Sequence, residues 1–374
     1  MADAMRAMWL SKVVVRLWSS PRSCVALVIT AALAAGTWLL FGLRRETREK
    51  RWQALCRHVI FMHAVCARRV LRQLRDPEAF FYSLCARNVD ATAADGVLLR
   101  GWHIVAAGEP TLRVAAAGPA GRDAACAAQL RSAELVIIFF HGNGGSRGGV
   151  FGRAPSARVE VVRALSTHFG AHVLTFDLRG YGDSGTSEGK QCSPSEAGSV
   201  LDANAVYEYV VSQTSPDTKI AIYGQSLGTA IASRCAVDAT LRDRKPAALI
   251  LDAAFPSLRA AALTYPLTMW LAPLLGAMGV LDAVLDSLPD KFESQVPVLD
   301  ASIPLLIFHK TLDAVIPIRL GRQVFEKALQ GRGDKATTTF VEIETAVCRM
   351  RKHHVDSFTH SKWVDAMAAV LLPN

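Results

Sequence analysis

A serine flanked by glycines, at the junction of an apolar run and an alanine-rich run, is the most constraining feature of this 374-residue chain. The motif is Gly224-x-Ser226-x-Gly228. Residues 219–223 have the alternation of a buried strand, and residues 229–237, without proline or glycine, favour a helix. The serine therefore lies at a sharp strand-to-helix corner, where glycines two positions away leave room for the neighbouring backbone. Such a corner holds the hydroxyl out of the sheet as a nucleophile.

A glycine-rich loop precedes this motif. Residues 135–140 are all apolar and predict a buried strand, which leads into the loop His141-Gly-Asn-Gly-Gly145. We expect the backbone N–H groups of Asn143 and of Leu227, the residue after the serine, to bind a developing oxyanion, each contributing ~3 kcal/mol if preorganised. His141 is expected to hydrogen bond within its own loop.

A carboxylate and a histidine follow the serine in the order that this chemistry needs. Asp313 follows the apolar run 304–308, and the pair His353-His354 follows the run 338–343. A serine hydroxyl becomes a good nucleophile when a histidine accepts its proton, and a carboxylate then fixes the tautomer of that histidine. We expect Ser226, Asp313 and His354 to fill these roles, with Asp252 as the alternative acid.

The positive charge is confined to the N-terminal fifth of the chain. Residues 1–75 carry 14 Lys and Arg against 3 Asp and Glu, whereas residues 76–374 carry 28 against 30. This split argues against a uniformly basic nucleic-acid-binding domain and favours an anchor beside anionic lipid headgroups.

An uncharged stretch of 21 residues, 23–43, lies between Arg22 and Arg44. At 1.5 Å per residue it matches the ~30 Å core of a bilayer, so it predicts an uncleaved transmembrane helix. Residues 50–75 have helical spacing of apolar residues among arginines, which favours a basic amphipathic helix at the membrane surface, although packing of that helix on the rest of the protein is an equal alternative. The arginine-bearing, acid-poor start also leaves a mitochondrial presequence open.

Strand and helix patterns alternate over the following chain, which predicts an α/β fold with a mostly parallel central sheet flanked by helices. Residues 97–99, 102–104 and 112–114 predict short antiparallel lead-in strands, and the Ala- and Gly-rich residues 118–131 predict a surface loop. The alternation stops over residues 257–290, which are rich in Leu and Met and predict an apolar lid over a lipid-binding cleft, or plain packing.

Other ligand chemistries find no support in the sequence. The eight cysteines lack metal-ligand spacing, and they are expected to be free thiols. Gly142-x-Gly144-Gly145 follows a strand but lacks the remaining residues of a phosphate-binding or dinucleotide motif. We therefore expect no metal and no cofactor, and no obligate protein partner is evident.

Five motifs occur in a characteristic order: residues 141–148 (HGNGGSRG), 175–185 (TFDLRGYGDSG), 224–229 (GQSLGT), 249–256 (LILDAAFP) and 313–317 (DAVIP). With these motifs the chain resembles the membrane-anchored α/β-hydrolase-domain serine hydrolases, most of all the branch of monoacylglycerol and lysophosphatidylserine lipases. The resemblance covers roughly residues 90–374 and the N-terminal anchor. Gln225 departs from that branch, which often has histidine there, and residues 257–290 match it little.

The resemblance implies the α/β-hydrolase fold and a membrane-bound serine hydrolase that cleaves acyl esters of lipids, a monoacylglycerol or a lysophospholipid, through an acyl-enzyme. An acyl-protein thioesterase, a serine peptidase and a catalytically silent membrane scaffold remain alternatives. In the resembling branch the interval from the catalytic histidine to the end of the last helix falls on His354 here, and His353 is the alternative.

The predicted organisation has four parts: a basic segment 1–22, a transmembrane helix 23–43, a juxtamembrane helix and linker 44–89, and a hydrolase domain 90–374 with the lid at about 257–290. The count of Lys and Arg is 4 before the span and 10 after it to residue 75, which favours a cytosolic hydrolase. The resemblance implies a luminal active site instead, and we expect the endoplasmic reticulum membrane with that orientation.

Overall fold

The computed structural model describes residues 73–81, 84–108, 118–149, 156–187, 190–242, 244–264, 285–333, 337–344 and 356–372. The predicted span 23–43, the strand predicted at 112–114, residues 265–284 of the predicted lid, and His353-His354 lie outside these ranges. Within the described ranges, no helix combines the length and apolar character needed to cross a bilayer.

A central sheet of ten strands organises the described part of the chain. The strands are β1 (Ala86–Thr92), β2 (Leu98–Ile104), β3 (Leu135–Phe140), β4 (His172–Phe176), β5 (Thr186–Ser187), β6 (Lys190–Gln191), β7 (Lys219–Gln225), β8 (Ala248–Asp252), β9 (Leu305–Lys310) and β10 (Thr338–Ile343). Their order is β10-β9-β8-β7-β3-β4-β2-β5-β6, with β1 paired to β2. The six strands from β10 to β4 pair in parallel, and the pairs that involve β1, β2, β5 and β6 are antiparallel. The mostly parallel α/β sheet predicted from the alternation is confirmed.

Helices connect the parallel strands and cover both faces of the sheet. The α-helices are α1 (Gly118–Arg131), α2 (Ala157–Phe169), α3 (Glu196–Gln213), α4 (Leu227–Thr240), α5 (Leu258–Thr264), α6 (Ile318–Arg332) and α7 (Ser361–Leu371), and short 3₁₀ turns lie at Pro77–Ala79, Val296–Val298 and Ser357–Thr359. Crossover helices of this kind are what consecutive parallel strands require.

The sheet separates two apolar layers, as β3 illustrates. Val136, Ile138 and Phe140 pack in the layer that contains residues of α3, α4 and α6. The intervening residues of the strand pack in the opposite layer with residues of α2 and α7. All six side chains of β3 are buried because neighbouring side chains of a strand point to opposite faces and both faces are covered. Burial on both faces of the sheet therefore explains why residues 135–140 are all apolar.

The lead-in to the parallel sheet is a single long hairpin. The runs predicted at 97–99 and 102–104 belong to one strand, β2, which pairs antiparallel with β1 over seven residues. The sheet therefore begins at Ala86. Leu74 also belongs to the folded part, because its side chain is fully buried and its carbonyl accepts a hydrogen bond of 2.8 Å from Trp102 Nε1.

The prediction of a surface loop at residues 118–131 is wrong, because this segment forms the helix α1. Alanine has the highest helix propensity, and the segment holds five alanines, which outweigh its two glycines. Cys126 and Leu130, four residues apart on one helix face, are fully buried. Tertiary burial of this narrow stripe stabilises a helix whose composition alone resembles a loop.

Candidate active site

Ser226 occupies the sharp turn between β7 and α4, as the motif predicted. Its backbone angles are φ 51° and ψ −119°, a conformation that a residue with a side chain adopts only under constraint. The Ser226 N–H donates to the carbonyl of Asp252 at 2.8 Å, and its carbonyl accepts from the Thr229 hydroxyl at 2.6 Å. These bonds fix both peptides of the turn and leave the side chain half-buried at the end of the strand.

The two glycines of the motif are explained by close backbone contacts. A Cβ on Gly224 would collide with the carbonyl of Gly228, and a Cβ on Gly228 would collide with the carbonyl of Phe140 at the end of β3. Strand β7, helix α4 and strand β3 therefore approach more closely here than any side chain allows. This close approach also places the start of the next loop beside the serine.

The loop predicted to hold an oxyanion lies directly against Ser226. A Cβ placed on Gly142 would be 3.1 Å from the Ser226 Cβ. Leu227 is the first residue of α4, and the first N–H groups of a helix have no acceptor within the helix. The structure thus brings Ser226, Leu227 and the Gly142–Asn143 peptide together at one edge of the sheet.

The side chain of Asn143 braces the loop internally. Its Oδ1 accepts from the Gly144 N–H at 2.9 Å and from the Tyr181 hydroxyl at 2.9 Å. Burial raises the pKa of Tyr181 far above its usual value, so the phenol remains a donor at any physiological pH. The Asn143 side chain therefore has a structural role, which leaves its backbone as the candidate oxyanion donor.

Arg158, in the first turn of α2, is a residue that the sequence analysis missed. Its guanidinium donates to four carbonyls of the loop: those of Gly142, Asn143, Gly144 and Ser146, at 2.7, 2.8, 2.7 and 2.7 Å. The side chain is 5% exposed. One signal was available, because Val161 and Val162 lie three and four residues later and place Arg158 on the apolar face of the predicted helix.

Arg147 braces the other end of the loop. Asp177 and Asp183, in the segment after β4, both bind Arg147 through their carboxylates. Backbone hydrogen bonds from Tyr181 and Ser184 close the turn between the two carboxylates. The Arg147 guanidinium also lies 4.8 Å from the ring centre of Trp102. Two buried arginines thus hold one short loop.

His141 is held inside its own loop, as predicted. Its Nδ1 lies 2.8 Å from the Gly142 carbonyl, which only accepts, so this nitrogen carries the proton. Burial, with the charge of Arg158 nearby, lowers the pKa of His141 to about 3. Burial also raises the pKa of Asp177, 3.6 Å from His141 Nε2, to about 6. The imidazole is therefore neutral at pH 7 and supports the loop.

Asp313, the predicted acid, lies in the turn after β9 and is buried. Its Oδ1 accepts from the backbone N–H groups of Val315 at 2.8 Å and Ile316 at 2.9 Å. Bonds of this kind favour the ionised carboxylate. His309 Nε2 lies 2.7 Å from the Ile316 carbonyl, so this histidine helps to hold the turn that carries Asp313.

Asp252, the alternative acid, is engaged by two hydroxyl groups. Ser357 Oγ donates to Oδ1 at 2.8 Å, and the Tyr223 hydroxyl donates to Oδ2 at 3.1 Å. Trp363 Nε1 in turn donates to the Tyr223 hydroxyl at 3.3 Å. Asp252 therefore ties β8 to the segment before α7.

The position of His354 lies outside the described residues, but the chain resumes two residues later beside the site. Asp356 pairs with Lys310, three residues before Asp313, and Ser357 binds Asp252. Two contacts thus fix the chain just after the histidine pair, close to the turn that carries the acid.

Similarity to known proteins agrees with this geometry. A family model described as the alpha/beta hydrolase fold matches residues 136–275. The lysophosphatidylserine lipase ABHD12 of Danio rerio is 35% identical over 202 residues, which cover 54% of this chain and 49% of the relative. The protein ABHD12B of Homo sapiens is 33% identical over 252 residues, covering 66% of this chain and 63% of the relative. The matched region spans about half the length of the lipase relatives.

Among solved structures, an alpha-beta hydrolase from Vibrio vulnificus superposes with a TM-score of 0.57 at 17% identity, covering 88% of this chain and 95% of the other. At this identity the likeness concerns the fold. The family model and the named relatives agree with the resemblance that the motifs indicated, and the order of the strands agrees with the fold that the resemblance implies. The chain therefore has the α/β-hydrolase fold and is similar in sequence to the lysophosphatidylserine lipases named ABHD12 and to the protein ABHD12B.

Proposed function

We propose that this protein is a membrane-bound serine hydrolase that cleaves the acyl ester of a monoacylglycerol or lysophospholipid. Ser226 attacks the ester carbonyl while His354 accepts its proton, and Asp313 orients the histidine and stabilises the imidazolium. The N–H groups of Asn143 and Leu227 bind the oxyanion. The alcohol departs with a proton from His354, and water then cleaves the acyl-enzyme.

One observation carries the proposal: Ser226 has a strained positive φ at the end of β7, with the Gly142 loop in contact with it. A residue with a side chain retains such a conformation only where the surroundings impose it, and strain of this kind clusters at active sites. The buried, N–H-bound carboxylate of Asp313 supports the same assignment. The names of the relatives support a lipid substrate.

The proposal is tested by turnover of lipid esters. Purified full-length protein in detergent should release fatty acid from a lysophosphatidylserine or from a monoacylglycerol, and Ser226→Ala should reduce kcat on the order of 10⁶-fold, as is typical for a nucleophile. Ser233→Ala is a matched control, because Ser233 is a buried serine on α4 that binds the Ala230 carbonyl. Equal turnover by wild type and Ser226→Ala would refute the proposal.

The assignment of the base distinguishes His354 from its neighbour. Adjacent residues of an extended segment project in opposite directions, so only one of the two imidazoles reaches Ser226. His354→Ala should abolish turnover and His353→Ala should leave most of it. The reverse result, in variants that retain the melting temperature of the wild type, would move the role to His353.

The proposed organisation around this domain is an anchor and a lid. The apolar stretch 23–43 spans the membrane and the basic amphipathic helix predicted after it lies on the membrane surface, as their charge and length favour. Residues 257–290 cover the entrance to the site. At the two ends of this segment, Leu258, Leu285 and Leu288 pack together, which supports a compact insertion.

A further inference from the structure

The Gly142–Asn143 peptide is the critical unit of the proposed oxyanion site. A trans peptide is planar, so its carbonyl and its N–H point in opposite directions. Whatever holds the Gly142 carbonyl therefore also fixes the direction of the Asn143 N–H. If this peptide were rotated, its carbonyl oxygen would replace the N–H at the site and repel a developing negative charge.

Two buried donors hold that carbonyl. Arg158 Nη2 donates to the Gly142 oxygen at 2.7 Å and His141 Nδ1 donates to it at 2.8 Å, which occupies both lone pairs. Rotation of the peptide would remove an acceptor from a guanidinium that is 5% exposed and from an imidazole that is 2% exposed. Leaving buried donors unpaired is costly, so the two side chains favour one orientation of the peptide.

Arg158 holds the adjoining peptides as well. Its two terminal nitrogens each bind two carbonyls, Nη1 those of Gly144 and Ser146, and Nη2 those of Gly142 and Asn143. The fork of a guanidinium is rigid and planar, so four carbonyls that bind it are oriented together. An ammonium has three donors on one atom and cannot reproduce this spread.

We infer that Arg158 is a positioning residue that preorganises the oxyanion site by holding the Gly142 carbonyl, and thus the Asn143 N–H, in the direction that binds the transition state. The inference rests on the proposed function and identifies what keeps that site formed in the absence of substrate. Preorganised donors lower the barrier because they need no reorientation during the reaction. Arg158 acts through the loop, because its guanidinium binds the loop carbonyls.

The consequence for kinetics is specific. The carbonyl of a bound ester is neutral and gains little from the oxyanion donors, whereas the tetrahedral intermediate carries a full charge there. If the Gly142–Asn143 peptide is no longer held in one orientation, kcat should therefore fall and KM should remain nearly unchanged. Removal of one oxyanion donor typically lowers kcat by about 10²- to 10³-fold, and the same range is expected for removal of Arg158.

The test compares Arg158→Lys and Arg158→Met with wild type and with Arg163→Met. Arg163 is the matched control, since it lies on the same helix and donates to a carbonyl, that of Phe80 at 2.9 Å, away from the loop. For each full-length protein we would measure kcat and KM for a p-nitrophenyl ester, the inhibition constant of a trifluoromethyl ketone, which forms a tetrahedral adduct with the serine, and the melting temperature.

The expected result is a loss of about 100-fold in kcat for Arg158→Met, with KM within about threefold of wild type and a weakening of ketone binding similar to the loss in kcat. Arg158→Lys, which keeps the charge and the apolar stem, should fold and recover only part of the loss. Arg163→Met should retain the kinetic constants of the wild type.

The measurements distinguish a failure of the proposed hydrolase function from a failure of the role assigned to Arg158. If wild type neither hydrolyses the ester nor binds the ketone, the proposed function fails. If wild type is active and folded Arg158→Lys has unchanged kcat and unchanged ketone affinity, the proposed function stands and the role of Arg158 is refuted. A loss confined to melting temperature, with kcat intact, would likewise reduce Arg158 to a structural residue.

Discussion

Two carboxylates at neighbouring strand ends illustrate how local contacts separate chemical roles. Asp313 and Asp252 are both buried, but Asp313 accepts from backbone N–H groups and Asp252 accepts from two hydroxyls. Backbone N–H donors hold the Asp313 carboxylate in a fixed turn. The hydroxyl partners of Asp252 lie on β7 and near α7, so this carboxylate joins elements of the fold.

These contacts predict different consequences for the two Asp→Asn changes. Asp313→Asn should lower kcat by about 10⁴-fold at neutral pH, because an amide does not hold the histidine in the required tautomer. Asp252→Asn should keep kcat within about tenfold and lower the melting temperature, since the amide can replace only part of the hydrogen bonding. Parallel ester assays and melting curves would check this, and a greater kinetic loss for Asp252→Asn would exchange the two roles.

A buried pair of histidines predicts how stability depends on pH. Arg87 Nε donates to His103 Nδ1 at 3.1 Å, so in the neutral His103 ring the proton is on Nε2. His103 Nε2 then donates to His172 Nδ1 at 2.9 Å. Burial lowers the pKa of His172 to about 4 and, together with the charges of His172 and Arg87, holds the pKa of His103 well below its usual value. Both rings are therefore neutral in the folded protein at pH 7.

Acid destabilises the fold because the unfolded chain binds more protons at these two histidines than the folded protein does. Below pH ~6.5 the unfolded chain protonates these histidines and the folded protein does not, so the free energy of unfolding falls as the pH falls toward about 4. His172 alone contributes a loss of roughly 3 kcal/mol over this interval. Denaturant unfolding at pH 7 and pH 4.5 should show a smaller difference for His172→Gln than for wild type. Equal differences would contradict the assignment.

Among the elements, the strand-to-helix turn at Ser226 was the most predictable. Its glycine spacing is demanded by contacts with β3 and α4, so the sequence carries the geometry directly. The roles of Asp177 and Asp183 were not predictable, because their partner Arg147 lies 30 or more residues away and only the folded sheet brings it near. Arg158 was only partly predictable, because its place on the apolar face of α2 can be read from the sequence, whereas the loop that it contacts cannot.

Helix α1 was missed because its composition resembles a loop, and it carries one half of a thiol pair. Cys126 Sγ lies 3.3 Å from Sγ of Cys85, the residue before β1, and both thiols are buried. The hydrogen bond from Cys126 and the charge of Arg122 lower the pKa of Cys85. A lower pKa increases the thiolate fraction that attacks a disulfide.

Oxidised glutathione should therefore convert this pair into a disulfide, with loss of two thiol hydrogens and formation of two molecules of reduced glutathione. The bond would close a loop of about 40 residues and should raise the melting temperature by about 5 °C. Peptide mapping without reductant should find a Cys85–Cys126 crosslink, and Cys126→Ser should lose both crosslink and shift, unlike the control Cys192→Ser. Separate alkylation of both thiols after oxidation would contradict the prediction.

In the whole molecule, the uneven distribution of charge predicts that the N-terminal part binds the membrane and the remainder carries the catalytic site. Residues 1–75 carry a net charge of +11 and residues 76–374 a net charge of −2. The described sheet and helices lie entirely in the second part, whereas the apolar stretch 23–43 lies in the first. This division remains a prediction, which composition supports because length and charge determine membrane affinity without reference to a tertiary fold.

Full-length protein in microsomes should consequently remain with the membrane in alkaline carbonate, and deletion of residues 23–43 should release it to the supernatant. In sealed microsomes the hydrolase domain should resist protease until detergent is added, as the luminal orientation requires. Extraction of the full-length protein by carbonate would refute the anchor. Digestion of the domain without detergent would reverse the orientation, in agreement with the count of flanking basic residues.

Covalent labelling of Ser226 shows whether this serine is an activated nucleophile. A fluorophosphonate reacts with a serine only where a base and an oxyanion site activate it, so the intact full-length protein should gain one adduct, and tandem mass spectrometry should place that adduct on Ser226. The folded Ser226→Ala variant should remain unlabelled. Failure of the wild type to react, or an adduct on another residue that persists in Ser226→Ala, would contradict the account.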